Sequence, residues 1–580
     1  FIFSRACGHQ RAGGARVQNF MANGKYLGRD VVMTSKVKAQ HFDTDVVIVG
    51  AGPVGTLLAI LLGQRGKSVT LVERWTTHYD LPRAVTYDHE IARILATLGM
   101  DSENDPAISF HDELYYWKNR DGQNLQGVDW QSQSASGWRV RYWFNQPMME
   151  NRFLAIAEAM QNVTIIRGWV GDALAQDETG VTLTIKRNPD EDSKADETQA
   201  IRAKFLAGAD GANSFVRDSL EIENEDLGYF FDWLILDTIP KFDYVASRPA
   251  EPAQWQLCDP ARPTTIVPGG PGPDPDGPVR RRWEYMLLPD ESVTEMQTPE
   301  KAWELLADWG VTPENANLER SAVYRFQARW AKQWHKGRCM IGGDAAHLMP
   351  PFAGEGMCAG VRDAVAMAWR LNGILEDKFG MGVLDSYSTE RMEHAKHYIN
   401  FSQELGKIIC ISDEVEGAAR DAAMIADLDA RGGTPVPTDI CQLGAGAWCG
   451  DSPHAGELSV QGVVDANGTR GRFDQVVGQG WVLLGYETDP TAALTAQQRD
   501  QFAQLEGLPV ALCAAGGAAD VVDTEGTFKV WFDEIGAKYV LIRPDFYVAL
   551  TAGSVEALQT RFDKVMTELH LSAPCVMAAE

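Results

Sequence analysis

The stretch Asp45-Val46-Val47-Ile48-Val49-Gly50-Ala51-Gly52-Pro53-Val54-Gly55 decides the fold of this chain. An apolar strand over 45–49 runs into a G-x-G-x-x-G string, and a helical pattern follows over 56–63. A second apolar strand over 68–72 ends in Glu73, 23 residues after Gly50. Gly50 permits the tight strand-to-helix turn, Gly52 lets a pyrophosphate approach the backbone, and Gly55 lets helix and strand pack closely. The helix start at Pro53 and Val54 offers unpaired N–H groups and the positive end of a dipole to phosphate. Glu73 stands where an acid accepts hydrogen bonds from a ribose, with Arg74 beside it. The string alone also fits a glycine-rich turn with no ligand. The strand before it, the helix after it and the spaced acid make it a dinucleotide site.

At 580 residues the chain has room for several domains. Hydrophobic residues make up 45%, a globular proportion, and no apolar run approaches the ~20 residues that span a bilayer. Lys and Arg number 53 against 80 Asp and Glu, a net charge of −27, which argues against nucleic acid and anionic membranes as partners. Any cleft that takes an anion must then concentrate positive charge locally. The nine cysteines, at 7, 258, 339, 358, 410, 441, 449, 513 and 575, form no C-x-x-C pair and fit reduced thiols in a cytoplasmic protein.

Residues 1–41 begin with Phe1 and carry Arg5, Arg11, Arg16 and Lys25 with no acid before Asp30. An organellar transit peptide has that composition. Upstream translation or an artefact ahead of Met21 or Met33 also accounts for it, and is preferred because the apolar core of a signal peptide is missing. The folded region is expected to start near Phe42, with 1–41 disordered or artefactual.

Residues 42–220 are expected to form the first part of a nucleotide-binding domain. Strands are expected over 138–144, 163–168, 180–186 and 203–209, a helix over 146–160, and a charged loop tip at 188–197. Residues 221–330 change character: strands over 230–239, 255–258 and 283–288 alternate with proline-rich loops, and 268–278 reads as a solvated, flexible insertion. Residues 331–430 return to the first domain with a buried strand over 339–341 and a long helix over 356–375. After the Gly/Pro-rich 432–437, residues 438–580 read as a small α/β module. It has short parallel strands at 480–485 and 509–513, a hairpin around Pro544-Asp545 and a terminal helix over 555–569.

Two further strings carry chemistry. Gly208-Ala209-Asp210-Gly211-Ala212-Asn213-Ser214 and Gly337-Arg338-Cys339-Met340-Ile341-Gly342-Gly343-Asp344 each end an apolar strand at an aspartate followed by small residues. Taken singly, either is an ordinary Asp-capped strand end. In this order and spacing with the first motif, they resemble the three fingerprints of the FAD-dependent aromatic hydroxylases, the p-hydroxybenzoate hydroxylase family, over roughly residues 42–400.

That resemblance implies a fold and a set of roles. The fold is α/β: a Rossmann-like FAD-binding domain of the glutathione reductase type, an inserted β-sheet substrate domain and a C-terminal α/β domain. Gly50, Gly52, Pro53, Val54 and Gly55 would cradle the pyrophosphate, and Glu73, with Arg74, the adenosine ribose. Gln146 would lie near the ribityl chain, Asp210 and Gly211 serve FAD and NAD(P)H, and Asp344 the ribityl oxygens. Arg83, in Leu81-Pro82-Arg83-Ala84-Val85, matches an arginine of a flexible flavin-side loop, and Pro351 a proline whose carbonyl meets the isoalloxazine; these two are the expected catalytic positions. Gly354, Gly356 and Met357 precede or open the long helix, whose N–H groups would face the negative edge of a reduced flavin. Relatives usually carry Gln at 355 and Asn at 358, where this chain has Glu355 and Cys358. Glu355 would add negative charge there unless it faces water or is neutralised.

A single G-x-G-x-x-G implies that NADH or NADPH visits transiently rather than occupying a second Rossmann domain. Residues 231–237, 258–263 and 282–289 resemble 3-(3-hydroxyphenyl)propionate hydroxylases. Tyr324 and Phe326 reach an aromatic pocket, or else belong to a packed strand with Arg325 as a surface residue. Residues 539–548 resemble the thioredoxin-like domain of phenol hydroxylase relatives, and without C-x-x-C they suit packing or oligomerisation, a homodimer included. Glu390, Glu393, His394 and His397 share a helix face that could hold a metal, although a solvated charged face is the preferred reading. His347 reads as structural rather than as a general base.

The activity implied is an FAD-dependent monooxygenase. NAD(P)H would reduce the flavin, O2 would add as a C4a-hydroperoxide, and its distal oxygen would pass to a small phenolic substrate beside its hydroxyl. The best match is 3-(3-hydroxyphenyl)propionate or a similar phenolic acid. Another phenol, a resorcinol or a polyketide is the alternative, and a non-catalytic FAD-binding scaffold the alternative of another class.

Overall fold

Four near-continuously apolar segments, Thr44–Val49, Val69–Glu73, the end of Thr198–Gly208 from Phe205 onward, and Cys339–Ile341, lie side by side and parallel. Burial on both faces explains their composition. The computed structural model describes residues 41–78, 83–191, 197–271, 279–438, 440–517 and 519–571. The expectations for 1–40 and for the Leu81-Pro82 step lie outside those residues.

The register positions the site. Val49 pairs with Val72 on one side and Gly208 on the other, and Gly208 pairs with Ile341. The glycine loop, Asp210, Asp344 and Glu73 therefore all emerge at the carboxyl edge of one sheet, where open α/β folds bind ligands. Gly50 sits at φ +103°, and a Cβ there would stand 2.3 Å from the carbonyl oxygen of Ala209. A Cβ on Gly55 would stand 1.9 Å from the Gly50 carbonyl oxygen. Only glycine fits either place, and this lets the helix Pro53–Gln64 lie close against the sheet.

A second sheet runs in the order His347–Leu348, Ala316–Ala331, Asn224–Pro240, Arg281–Met286, Thr264–Pro268, Trp255–Leu257, Tyr115–Lys118, Asn124–Val128. Its two long strands, of 17 and 16 residues, are longer than the sequence pattern indicates. Two of its strands come from 115–128, so the sheet is not contiguous in sequence. Alternation sorts its faces. Leu234, Leu236, Trp283 and Tyr285 pack against the helix Pro299–Ala307, while Trp233, Ile235, Val267 and Met286 face the other way. Pro268 to Gly270 do not form a solvated insertion. They are buried, and a Cβ on Gly270 would meet the Phe144 carbonyl at 2.4 Å; residues 272–278 lie outside the described residues. The charged tip at 188–197 is likewise anchored at its base, where Asn188 is buried and donates to the Arg74 carbonyl at 2.8 Å.

The third sheet has the core order Leu508–Ala514, Val482–Tyr486, Tyr539–Ile542, Val548–Ala552, the first pair parallel and the others antiparallel, with the helix Val555–Glu568 following. This is the thioredoxin-like arrangement. Two long helices, Val383–Ile409 and Glu414–Ala430, complete the region 331–430, and the first carries the expected helix face of Glu390 to His397. The first corrects the solvated-face reading: Glu393 and His397 are exposed, but Glu390 and His394 are fully buried. Glu390 accepts from Arg370 at 2.7 Å and from Arg543 at 2.8 Å, joining the glycine-motif domain to the thioredoxin-like one. His347 hydrogen-bonds Asp363 at 2.9 Å and stacks on Trp334, a structural role.

Candidate functional site

The glycine loop is held by Glu73. Its Oε2 accepts from the Ala51 N–H at 2.8 Å and its Oε1 from the Trp75 N–H at 3.0 Å. Each oxygen keeps a lone pair for a ligand. Arg74 is exposed and lies over the Trp75 ring. Gly52 faces open space, with nothing within 4 Å of where a Cβ would stand. Val54 packs against Gly343 and Gly360, so the helix start, the third motif and the long helix Gly356–Leu375 meet through one side chain.

The two motif aspartates differ. Asp210 is engaged: Ser214 donates to it at 2.5 Å and the Val216 N–H at 3.0 Å, which caps the short helix Phe215–Ser219, and burial pushes its carboxyl up. Gly211 follows at φ +81°. Asp344 is half-buried, and among the described residues its side chain makes no hydrogen bond or ion pair. It is a carboxylate available to accept hydroxyls.

A cavity opens between this edge and the second sheet. Seven of the expected residues line it: Arg83, Tyr324, Phe326, Pro351, Gly354, Gly356 and Met357. Pro351, Gly354 and the helix start form one wall, and the aromatic sheet face the opposite one. Tyr324 and Phe326 thus belong to the pocket, while Arg325 between them is exposed and pairs with Asp232 at 2.7 Å. Gln146 does not line the cavity. Its side-chain oxygen accepts from the N–H groups of Arg83 at 3.2 Å and Ala84 at 2.6 Å, so it fixes the Arg83 segment. Arg83 in turn donates to Glu150 at 3.2 Å.

Glu355 neither faces water nor stands uncompensated. It is buried, accepting from Arg141 at 2.9 Å and from Arg362 at 3.0 Å. Arg362 also bonds Glu90 at 2.6 Å and Asp88. Burial, then the Asp88 charge, push the Glu355 carboxyl up to about 7 against the pull of both guanidiniums. Burial likewise raises the Cys358 thiol.

Several lining residues were not anticipated: Trp130, Trp143, Gln256, Thr265, Arg282 and Glu284. A signal for the last two exists in the sequence, since Arg282 and Glu284 are charges at alternating positions of the strand Arg281–Met286, with aromatic Trp283 and Tyr285 on the intervening face.

An FAD-type dinucleotide fits these residues. The open backbone above Gly52 and the start of Pro53–Gln64 suit a pyrophosphate, Asp344 supplies an unengaged acceptor, and the cavity wall at 351–357 suits a planar ring. The comparison with known proteins agrees. The sequence profile of the FAD binding domain matches residues 43–402, and that of the HcaD C-terminal domain matches residues 456–566. The chain belongs to this FAD-binding family, and it is an FAD-dependent aromatic monooxygenase that uses NAD(P)H. It is 32% identical over 506 residues to the probable NADH-specific resorcinol 4-hydroxylase of Rhodococcus jostii, covering 87% of this chain and 91% of that one. It is 27% identical to the 3-(3-hydroxy-phenyl)propionate/3-hydroxycinnamic acid hydroxylase of Comamonas testosteroni, covering 90% and 96%. Among solved structures, the flavin-dependent monooxygenase PieE and aklavinone-11 hydroxylase share the fold. Each has a TM-score of 0.71, at 20% and 22% identity, and each comparison covers 91% of this chain and all of the other. No helix among the described residues is long and apolar enough to cross a membrane.

Proposed function

We propose that this protein hydroxylates a small phenol on the ring carbon next to the existing hydroxyl, with NADH as the reductant. The balance is one phenol, one O2, one NADH and one proton in, and one ring-hydroxylated product, NAD+ and water out. The observation that carries the reading is the cavity that joins the 351–357 wall to an aromatic sheet face. The relatives named above act on resorcinol or on 3-(3-hydroxyphenyl)propionate by their names, and both are small phenols.

Bound FAD would supply the two-electron chemistry and the activation of O2. The protein's part is binding and exclusion of water. Gly50, Gly52, Pro53, Val54 and Gly55 hold the pyrophosphate, Glu73, with Arg74, the adenosine ribose, and Asp344 the ribityl hydroxyls. Gly211 keeps the turn after Asp210 open. The N–H groups of Gly356 and Met357 direct the positive end of their helix at the cavity, where they stabilise negative charge on the cofactor's edge. Pro351 sets the ring's position, and Arg83, held through Gln146, guards the opening. Tyr324, Phe326, Trp130, Trp143 and Phe352 enclose the substrate in an apolar cage, which keeps water from the reacting atoms.

A panel of phenols tests this by following NADH loss alongside formation of a hydroxylated product. Tight coupling with at least one small phenol is expected. NADH consumption that yields only hydrogen peroxide with every phenol would overturn the reading, and a yellow protein with no phenol-stimulated NADH loss would make it a non-catalytic FAD-binding scaffold.

A further inference from the structure

The floor of the cavity can be read from strand register. Across the second sheet, Ala322, Ile235, Glu284, Thr265 and Gln256 stand in one row, each paired with the next. Two residues away along the strands, Arg320, Asp237, Arg282 and Val267 form the neighbouring row. Because side chains alternate along a strand, both rows face the same side, and seven of these nine residues line the cavity.

Both guanidiniums of that floor face Asp237. Arg282 donates to Asp237 at 2.7 and 2.9 Å and to the Arg83 carbonyl at 2.7 Å. Arg320 lies 3.6 Å from the same Asp237 and over the Tyr324 ring. Arg83, which also lines the cavity, is engaged with Glu150. Glu284 is different. Its side chain is 14% exposed, its nearest ionic contact is Arg282 at 3.6 Å, and among the described residues it makes no hydrogen bond. Two guanidiniums thus face two carboxylates, so the floor carries no net positive charge, and Glu284 is the carboxylate of the two that makes no hydrogen bond among the described residues. A buried carboxylate without donors is costly, and a ligand that brings one is favoured accordingly. Around Glu284, the Thr265 hydroxyl and the Gln256 amide, hydrogen-bonded to each other at 2.5 Å, continue the polar patch opposite the apolar wall of Val85, Met349 and Phe352.

Resting on the reading of this protein as a phenol hydroxylase, we infer that Glu284 accepts the hydrogen bond of a ring hydroxyl, and that the cavity selects an uncharged benzene bearing two hydroxyls over a phenol bearing a carboxylate. One hydroxyl anchors the ring on Glu284, and the other directs the ring carbon beside it to the 351–357 wall. A carboxylate in the same place would set three negative groups, its own with Glu284 and Asp237, against the two guanidiniums of Arg282 and Arg320.

The test is equilibrium binding to the FAD-loaded protein, followed by the change in flavin absorbance, with resorcinol and 3-(3-hydroxyphenyl)propionate as probes. The wild-type protein is expected to bind resorcinol about tenfold or more tightly than the acid. Glu284→Leu is expected to weaken resorcinol by at least about tenfold, the range for a hydrogen bond to a charged group, and Glu284→Gln by less, because its amide oxygen still accepts. Unchanged FAD content and thermal midpoint certify that the variants are folded. Equal or tighter binding of the acid by wild type, or unchanged resorcinol affinity in Glu284→Leu, would overturn the inference while leaving phenol hydroxylation standing. Failure of the whole phenol panel to stimulate NADH loss would remove the underlying reading itself.

Discussion

Arg141 donates to Glu355 across 2.9 Å inside the protein, directly behind the helix start that lines the cavity. With Arg362 on its other oxygen, Glu355 becomes part of a buried ionic cluster with Asp88 and Glu90 rather than a lone charge beside the cofactor. The acid at this position thus arrives with its own compensation.

Removing that acid should be felt by the flavin. Glu355→Gln leaves Arg141 and Arg362 with one negative charge fewer, so the site becomes more positive and the flavin easier to reduce. Redox titration of the FAD-loaded variant is expected to give a higher midpoint potential than wild type. An unchanged potential would mean that the cluster is electrostatically insulated from the cofactor.

The same substitution has a pH signature. The Glu355 carboxyl sits at about 7 in the folded chain, above the usual 4.5, chiefly because of burial. The folded state then holds this proton more tightly than the unfolded one. The contribution to stability is fully present below about pH 4.5 and is lost as pH rises towards about 7. Glu355→Gln removes that loss, so the variant should gain on wild type in denaturant midpoint between pH 5 and pH 8. Parallel pH curves would contradict the assignment.

Loop chemistry and loop packing separate at two glycines and an aspartate. Gly50→Ala forces a side chain into left-handed backbone against Ala209, and a stability loss of about 1–3 kcal/mol is expected. Gly52→Ala places a methyl in open space, and Asp344→Ala removes a side chain that makes no hydrogen bond or ion pair among the described residues, so the thermal midpoint of the FAD-free protein should hold while FAD content falls sharply. Full flavin content in Asp344→Ala would overturn its role.

Glu390 reports on the union of two domains. Arg370 and Arg543 both depend on its carboxylate, and all three are completely buried. Glu390→Gln leaves two guanidiniums short of charge, and a loss of about 3–5 kcal/mol is expected in denaturant unfolding. A change below about 1 kcal/mol would show that Asp545, which Arg543 also contacts, suffices alone.

Much of this was legible in sequence because it rests on local constraints. Gly50, Gly55, Asp210 and Asp344 are each needed within a few residues of a strand end, and strand ends announce themselves by apolar runs. The thioredoxin-like module was legible for the same reason, from short strands and the Pro544-Asp545 turn. The cavity floor was not. Glu284, Thr265 and Gln256 come from three separate strands, and only cross-strand register sets them on one face. The burial of Glu390 and His394 was hidden too, because a charged helix face is solvated or buried according to what packs on it, and Arg543 lies 153 residues away.

The central claim is that this chain transfers an oxygen atom from O2 to a phenol held in the cavity beside the FAD cradle. Turnover of the FAD-loaded protein with NADH, resorcinol and isotopically labelled dioxygen tests it most directly, with mass spectrometry of the product. One labelled oxygen atom per product molecule, in the new hydroxyl, is the expected result. Product carrying oxygen from water, or labelled hydrogen peroxide with the phenol recovered intact, would contradict it.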